Sequence, residues 1–256
     1  MLEKPNRVRP QSADTGSREV RLEIDGTFNL RDVGGLPVQG GGRLRCNLLY
    51  RSDAIDAISE AGRRSLRDLN LRTVIDLREP RERREAPPDL GNGVRCEQIP
   101  ILRDRLTYGH LADIADLYAA VIGVAGPEFA AVIECLSRPD ALPALVHCTA
   151  GKDRTGMAVG LLLAAIGVPD SAVADDYAVT EVNLGEEARA RVLQRAIEAG
   201  IPAQQLAVMM GSPPQLMMDV LDQVRAANGT VAAYLTRHGL DTDALVRLRR
   251  TLVEFN

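Results

Sequence analysis

Strands and helices alternate through the first half of the chain, and helices alone fill the second. That order predicts an α/β fold: a central, mostly parallel sheet flanked by helices in three layers, with a helical C-terminal cover. Two observations anchor it. Leu48-Leu49-Tyr50, Thr73-Val74-Ile75-Asp76-Leu77 and Ala144-Leu145-Val146-His147 are short apolar runs of strand length. A strongly apolar stretch, Met157 to Ile166, follows the last of them and stops at Gly167 with Pro169 beyond, the ending of a helix.

Taken in order, residues 1–18 read as a flexible polar tail. Val20 to Ile24 alternates apolar and charged residues, as a half-exposed strand does. Asp25-Gly26 and Gly34-Gly35 are turn signals bracketing Thr27 to Asp32. The Leu48-Leu49-Tyr50 strand ends at Arg51-Ser52-Asp53, and Ser59 starts a helix to Leu69, with Leu66 and Leu69 on one face. After the Thr73 to Leu77 strand, the Arg/Glu-rich Arg78 to Glu85 reads as a solvated face, stopped by Pro87-Pro88. Val94 to Ile99 is a further strand, Leu111 to Ile122 an amphipathic helix, and Glu128 to Leu136 another helix with Pro127 near its start. Only helical signals follow residue 170: Ser171 to Thr180, Glu186 to Ala199, Pro214 to Ala227, Val231 to His238 and Thr242 to Glu254. Met209-Met210 and Met217-Met218 read as core packing. Residues 19–256 therefore make one domain.

The composition of the 256 residues, 45% hydrophobic and 26% charged, is that of a globular protein with a real core. A net charge of −4 gives no reason to expect nucleic acid or an anionic membrane as partner, so any anion must be handled locally. Of the 31 cationic residues only Lys4 and Lys152 are lysine, which makes a lysine beside Cys148 conspicuous. Cys46, Cys96, Cys135 and Cys148 show no C-x-x-C spacing, so neither a zinc knuckle nor a redox couple is encoded. Isolated thiols fit a reducing compartment, and Met1 to Ser17 lacks the apolar stretch of a signal peptide. Met157 to Ile166 is too short to span a bilayer, so no integral membrane segment is expected. The expectation is a cytoplasmic protein, although export by a non-classical route would leave no such mark.

The chemistry concentrates at Cys148-Thr149-Ala150-Gly151-Lys152-Asp153-Arg154-Thr155-Gly156, between a buried strand and an apolar helix. The first N–H groups of a helix have no internal partner, and its dipole favours negative charge there. Consecutive amides in such a loop make an anion nest. A cysteine opening it sits in the same positive field, which favours a thiolate nucleophile. An arginine closing it can fork onto two oxygens of one tetrahedral oxyanion, geometry that lysine does not copy. Gly151 permits a close backbone approach or a positive φ. None of the other three cysteines has an arginine six positions on. A nucleotide-binding G-x-x-x-x-G-K-[ST] loop around Lys152 fails, because Val146 and Asp153 stand where Gly and Ser or Thr are needed.

His147 to Gly156 resembles the signature loop of the cysteine-dependent protein tyrosine phosphatase superfamily, and its Ala-Gly-Lys-Asp-Arg-Thr-Gly tail is similar to a bacterial branch. Phe28-Asn29-Leu30-Arg31-Asp32-Val33-Gly34-Gly35, Leu49-Tyr50-Arg51-Ser52, Val74-Ile75-Asp76-Leu77-Arg78 and Tyr234-Leu235 resemble that branch in the same order. The resemblance implies hydrolysis of phosphotyrosine in proteins, extending to phosphoserine, phosphothreonine and phosphoinositides. It implies that Cys148 attacks phosphorus and holds a thiophosphate, and that Arg154 binds substrate and transition state. Thr149, Ala150, Gly151, Lys152, Asp153 and Arg154 would cradle the phosphate, and Thr155 would hydrogen-bond Cys148 to help its release. No metal or other cofactor is implied, since Arg154 and the amides do the charge work.

The leaving oxygen needs a proton. Without a tryptophan the chain has no Trp-Pro-Asp loop; Asp153 inside the loop is the first candidate for the acid, as the resemblance implies for this branch, and Asp76 at the end of its strand is the second. Helix capping is the plain alternative for Asp153 and an ion pair with Arg78 that for Asp76. Lys152 is a second phosphate contact, resembling the loop of phosphoinositide 3-phosphatases, or a solvated surface lysine. His147 faces away from Cys148 on the strand and reads as a structural histidine. Arg31, Asp32 and Arg51 either border the site or are salt-bridged supports. Arg103 to Ala125 and the helices after residue 170 are candidates for a lid. Two other functions compete: a phosphate-recognition module without turnover, and arsenate reduction or sulfur transfer. The latter usually uses resolving thiols, and none lies within twelve residues of Cys148.

Overall fold

Alternation along three short strands sets the architecture. In β4 (Leu49–Ser52), β5 (Thr73–Asp76) and β7 (Ala144–His147), Leu49, Ile75, Ala144 and Val146 face one hydrophobic cluster, while Tyr50, Val74 and Leu145 face another. A strand buried on both faces needs helices on both sides. The computed structural model describes residues 21–83, 90, 93–103, 105, 113–198 and 211–255. The main sheet has the order β1-β4-β7-β5-β6, with β1 at Arg31–Asp32 and β6 at Arg95–Gln98. β4, β7, β5 and β6 run parallel, and β1 runs antiparallel to β4. β7, the strand that delivers Cys148, is therefore central.

One face of the sheet carries α1 (Glu60–Asp68), capped by Ser59, whose hydroxyl accepts the Gly62 amide. The other packs on α2 (Ile114–Val124), α3 (Gly126–Ser137) and α4 (Asp153–Ala165). Met157, Ala158, Val159 and Leu161 to Leu163 of α4 are all buried. Shortening one of the leucines to alanine there costs about 3 kcal/mol. α5 (Asp170–Asn183), α6 (Glu186–Glu198), α7 (Pro214–Asn228), α8 (Val231–Arg237) and α9 (Thr242–Leu252) complete the expected helical cover. No single helix among the described residues is long and apolar enough to cross a membrane.

Two expectations fail at the ends. The helix predicted to Glu254 stops at Leu252, and Val253–Phe255 forms β8, which joins β2 (Pro37–Val38) and β3 (Gly42–Leu44) in a small antiparallel sheet. The Val-Glu-Phe alternation favoured a strand there once β3 offered an edge. The strand read at Val20 to Ile24 shrinks, in its described part, to a single bridge between Arg21 and Arg31. The tail at 1–18, Pro87-Pro88, Leu111 and Met209-Met210 lie outside the described residues. Met217 is fully buried in the core, as expected.

Candidate active site

Val146 and Cys148 share one cluster, so Cys148 points toward the α4 side of the sheet, buried at 2% exposure. His147 points the other way. Gly151 takes φ +66°, and a Cβ there would lie 2.5 Å from the Ser52 carbonyl, so the loop closes onto β4 only with glycine.

The loop's carbonyls are turned back into the protein. Thr149 O accepts the Ala54 amide at 3.1 Å. Asn29 Nδ2 donates to Ala150 O at 3.0 Å and to Gly151 O at 3.2 Å, and Arg51 Nη2 donates to Gly151 O at 2.9 Å. Because a peptide unit is planar and trans, its N–H points opposite to its C=O. The amides of Ala150, Gly151 and Lys152 therefore face away from this brace, beside the first turn of α4. Arg51 is in turn fixed by Asp176 of α5 at 2.7 Å, which Arg31 Nε also meets at 3.3 Å, all three side chains being buried. Asp53 secures Asn29 by accepting the Phe28 and Asn29 amides, and burial raises its carboxyl despite those bonds.

On the open side Arg154 and Thr149 converge on Glu82. The Arg154 terminal nitrogens meet the two Glu82 oxygens at 2.5 and 2.7 Å, and the Thr149 hydroxyl donates to Glu82 Oε1 at 2.8 Å. Glu82 also accepts the Glu79 amide at 2.8 Å. Burial opposes its ionisation, but the Arg154 charge and these bonds outweigh that and bring its carboxyl down to about 2. The pairing engages the end-on edge of the guanidinium, and Nη2 also donates to the Thr149 hydroxyl at 3.3 Å. This overturns the solvated reading for Arg78, Glu79 and Glu82, though Arg81 is exposed and residues 84–85 lie outside the described ones: Arg78 is buried against Asp76 and Asp56, and Glu79 is buried with Oε1 on the Leu102 amide.

Asp153 opens α4, yet Lys152 occupies the cap position and no side-chain cap is made. Asp153 Oδ1 instead accepts the Tyr118 hydroxyl at 2.6 Å and lies 3.1 Å from Lys152 Nζ. Lys152 is no solvated surface lysine: it is buried, with Nζ donating to Gly211 O at 3.0 Å. Thr155 is buried, and its hydroxyl has no hydrogen-bond partner among the described residues, so the expected bond to Cys148 is not made. The next residue, Gly156, leaves room for the Tyr177 ring, which a Cβ would meet at 2.8 Å.

Asp76 does not reach this cluster. It pairs in register with His147, on the sheet face opposite Cys148, and its carboxylate grips Arg78 at 2.9 Å. Burial works against its charge, but His147 and Arg78 overcome it and hold the carboxyl below its ordinary range, unsuited to carrying a proton. The ion-pair alternative is what forms. Burial holds His147 below its ordinary range as well, with Nδ1 3.4 Å from Cys148 O. Asp32 accepts the Gly34 and Asn47 amides and shapes a turn instead of bordering the loop.

Sequence reading missed Glu82 and Tyr118. A usable signal for the first was Glu79-Pro80-Arg81-Glu82, where a proline opening and a glutamate three residues after Glu79 mark a tight turn. Tyr118 carries no local signal beyond its place on an apolar helix face. Of the lid candidates, Leu184 and Ala188 pack against Ala150, with Phe28 and Val192 alongside.

The family model described as tyrosine phosphatase family matches residues 22–254. A protein named as a tyrosine-protein phosphatase in Cupriavidus necator is 34% identical over 185 residues, 66% of this chain and 67% of its own. The triple specificity protein phosphatase PtpB of Mycobacterium tuberculosis is 24% identical over 276 aligned positions, covering 90% of this chain and 98% of its own. The crystal structure of P. aeruginosa TpbA aligns at a TM-score of 0.36 and 21% identity, covering 64% of this chain and 90% of that one. Matched from residue 22 to residue 254, around a loop whose amides face away from the Asn29 and Arg51 brace, the chain belongs to the tyrosine phosphatase family.

Proposed function

We propose that this phosphatase hydrolyses phosphotyrosine in proteins through a thiophosphate on Cys148. The observation that carries the reading is the turned-back loop: three carbonyls held by Ala54, Asn29 and Arg51 leave the opposed amides facing away from that brace, beside the α4 N-terminus, where an anion is favoured. Cys148 Sγ attacks phosphorus as a thiolate; the S–P bond forms, the P–O bond to the leaving group breaks, and Asp153 gives that oxygen its proton. Water then attacks phosphorus, Asp153 takes the proton back, and the S–P bond breaks to release phosphate and the thiolate. The Arg154 guanidinium clamps the equatorial oxygens, with Glu82 holding it in plane. Thr155, whose hydroxyl has no partner among the described residues, would have to turn toward the sulfur to ease departure of the thiolate.

The charge work falls to Arg154 and the amides, so turnover is expected to persist in a chelator. The breadth implied by the PtpB relative's name, together with the buried Lys152 ammonium, supports extension to phosphoserine, phosphothreonine and phosphoinositides. Vanadate-sensitive hydrolysis of a phosphotyrosine peptide is the test. A protein that binds the peptide without turning it over is a recognition module and overturns the reading. Lys152→Ala is expected to impair a polyphosphorylated inositol lipid more than a small aryl phosphate, and equal loss on both removes the lipid extension.

A further inference from the structure

Asp153 is not alone at the mouth of the loop. Two tyrosines from separate helices stand in series behind it: Tyr118 of α2 donates to Asp153 Oδ1 at 2.6 Å, and the Tyr118 and Tyr177 hydroxyls are 2.8 Å apart. Their rings meet edge-on, with centroids 6.3 Å apart at 76°. A hydroxyl has one proton to give. An ionised Asp153 accepts only, so the Tyr118 proton is committed to it and Tyr177 must be the donor in the tyrosine pair. Burial first, and the Asp153 charge second, push both phenols far above their ordinary range, so both stay protonated donors wherever the enzyme works. Tyr177 is itself lodged against Gly156, where a side chain would strike its ring.

We propose that Tyr118, backed by Tyr177, is a positioning residue for the Asp153 carboxyl: it fixes Oδ1 as the accepting oxygen and makes Oδ2 the oxygen that carries and delivers the proton. This rests on the reading of Asp153 as the general acid. Lys152 Nζ approaches the same Oδ1 at 3.1 Å, so both donors load one oxygen and a proton is best placed on the other. The charged and titratable groups around Asp153 are Lys152 and Arg154 from its own segment, with Glu82 on Arg154. Tyr118 comes from α2; α5 contributes Tyr177, whose own neighbours are Arg51 and Glu181. Of these only Tyr118 makes a short neutral hydrogen bond to the carboxylate, so its loss is separable from a change in charge.

The test is the pH dependence of kcat/KM in the full chain for Tyr118→Phe, Tyr177→Phe and Asp153→Asn, on an aryl phosphate and on an alkyl phosphate with a poor leaving group. Removing the donor disfavours the ionised carboxylate. In Y118F the basic limb should therefore move to higher pH by about half a unit to one unit, water replacing part of the bond at this quarter-exposed side chain. The misaligned acid should cost about tenfold on the alkyl ester and under about twofold on the aryl ester, whose leaving group needs little help. Y177F, one bond further back, should move the limb the same way by less, and it reports even if Y118F does not fold. A limb that stays in place in both tyrosine variants while D153N abolishes it overturns the proposal and leaves the acid assignment standing. So does a loss in Y118F that is uniform across pH and leaving group, which is the mark of a merely structural tyrosine. A limb unchanged in D153N overturns both.

Discussion

The two sides of the Cys148–Arg154 loop are held by different means. Behind it, Asn29, Arg31, Arg51 and Asp176 are all buried and grip main-chain carbonyls or one another. In front, Thr149, Asp153 and Arg154 are partly exposed and are met side chain to side chain by Glu82, Tyr118 and Lys152. The back fixes shape; the front sets charge. A fault behind the loop should therefore damage folding and catalysis together at any pH, and a fault in front should damage catalysis, with its cost in stability carried by the pH-dependent Glu82 charge.

The hardest blow to that contrast would come from Asp176→Asn, which removes the carboxylate that two buried guanidiniums share. A loss of about 3–5 kcal/mol in urea unfolding is expected, with activity falling in parallel. A stable but inactive D176N would erase the distinction. Arg154→Lys, in front, should lower kcat/KM on an aryl phosphate by about a hundredfold to a thousandfold, with the unfolding midpoint little changed. Glu82→Gln sharpens the boundary between the two sides through pH. The Glu82 carboxyl is held at about 2 against an ordinary 4.5, so its stabilisation is complete above the higher value and drains away as pH falls toward the lower. That component is worth up to about 3 kcal/mol, and E82Q should lack it, its stability varying less than the parent's between about pH 6 and about pH 3. Smallest is Thr149→Val, which removes the hydroxyl's bond to Glu82 and its longer one from Arg154 and should cost no more than about fivefold in kcat/KM.

The same contrast explains what the sequence disclosed. The loop was legible because strand, nucleophile, glycine, arginine and helix are contiguous, and each carries a local reason for its place. Asn29 and Arg51 lay in motifs that the family resemblance marked, although their grip on loop carbonyls required the fold. Glu82 was hidden in a run whose composition suggests solvent, because its partner Arg154 is 72 residues away. Tyr118 was hidden for the opposite reason: on an apolar helix face a tyrosine counts as core, and periodicity says nothing of where its hydroxyl ends. Asp76 looked like an acid from its strand-end position, and only the register beside His147 shows that it faces the other side. The terminal strand β8 needed a partner edge contributed from residues 42–44, which no local pattern announces.

The central claim is that the sulfur at the end of β7 takes the phosphoryl group. Acid-quenching the protein during turnover of an aryl phosphate and mapping the adduct by mass spectrometry tests it most directly. The phosphoryl group should sit on the peptide carrying Cys148, and Cys148→Ser should abolish both adduct and turnover. An adduct on another residue, or a C148S protein that hydrolyses the ester as fast as the parent, would contradict the account.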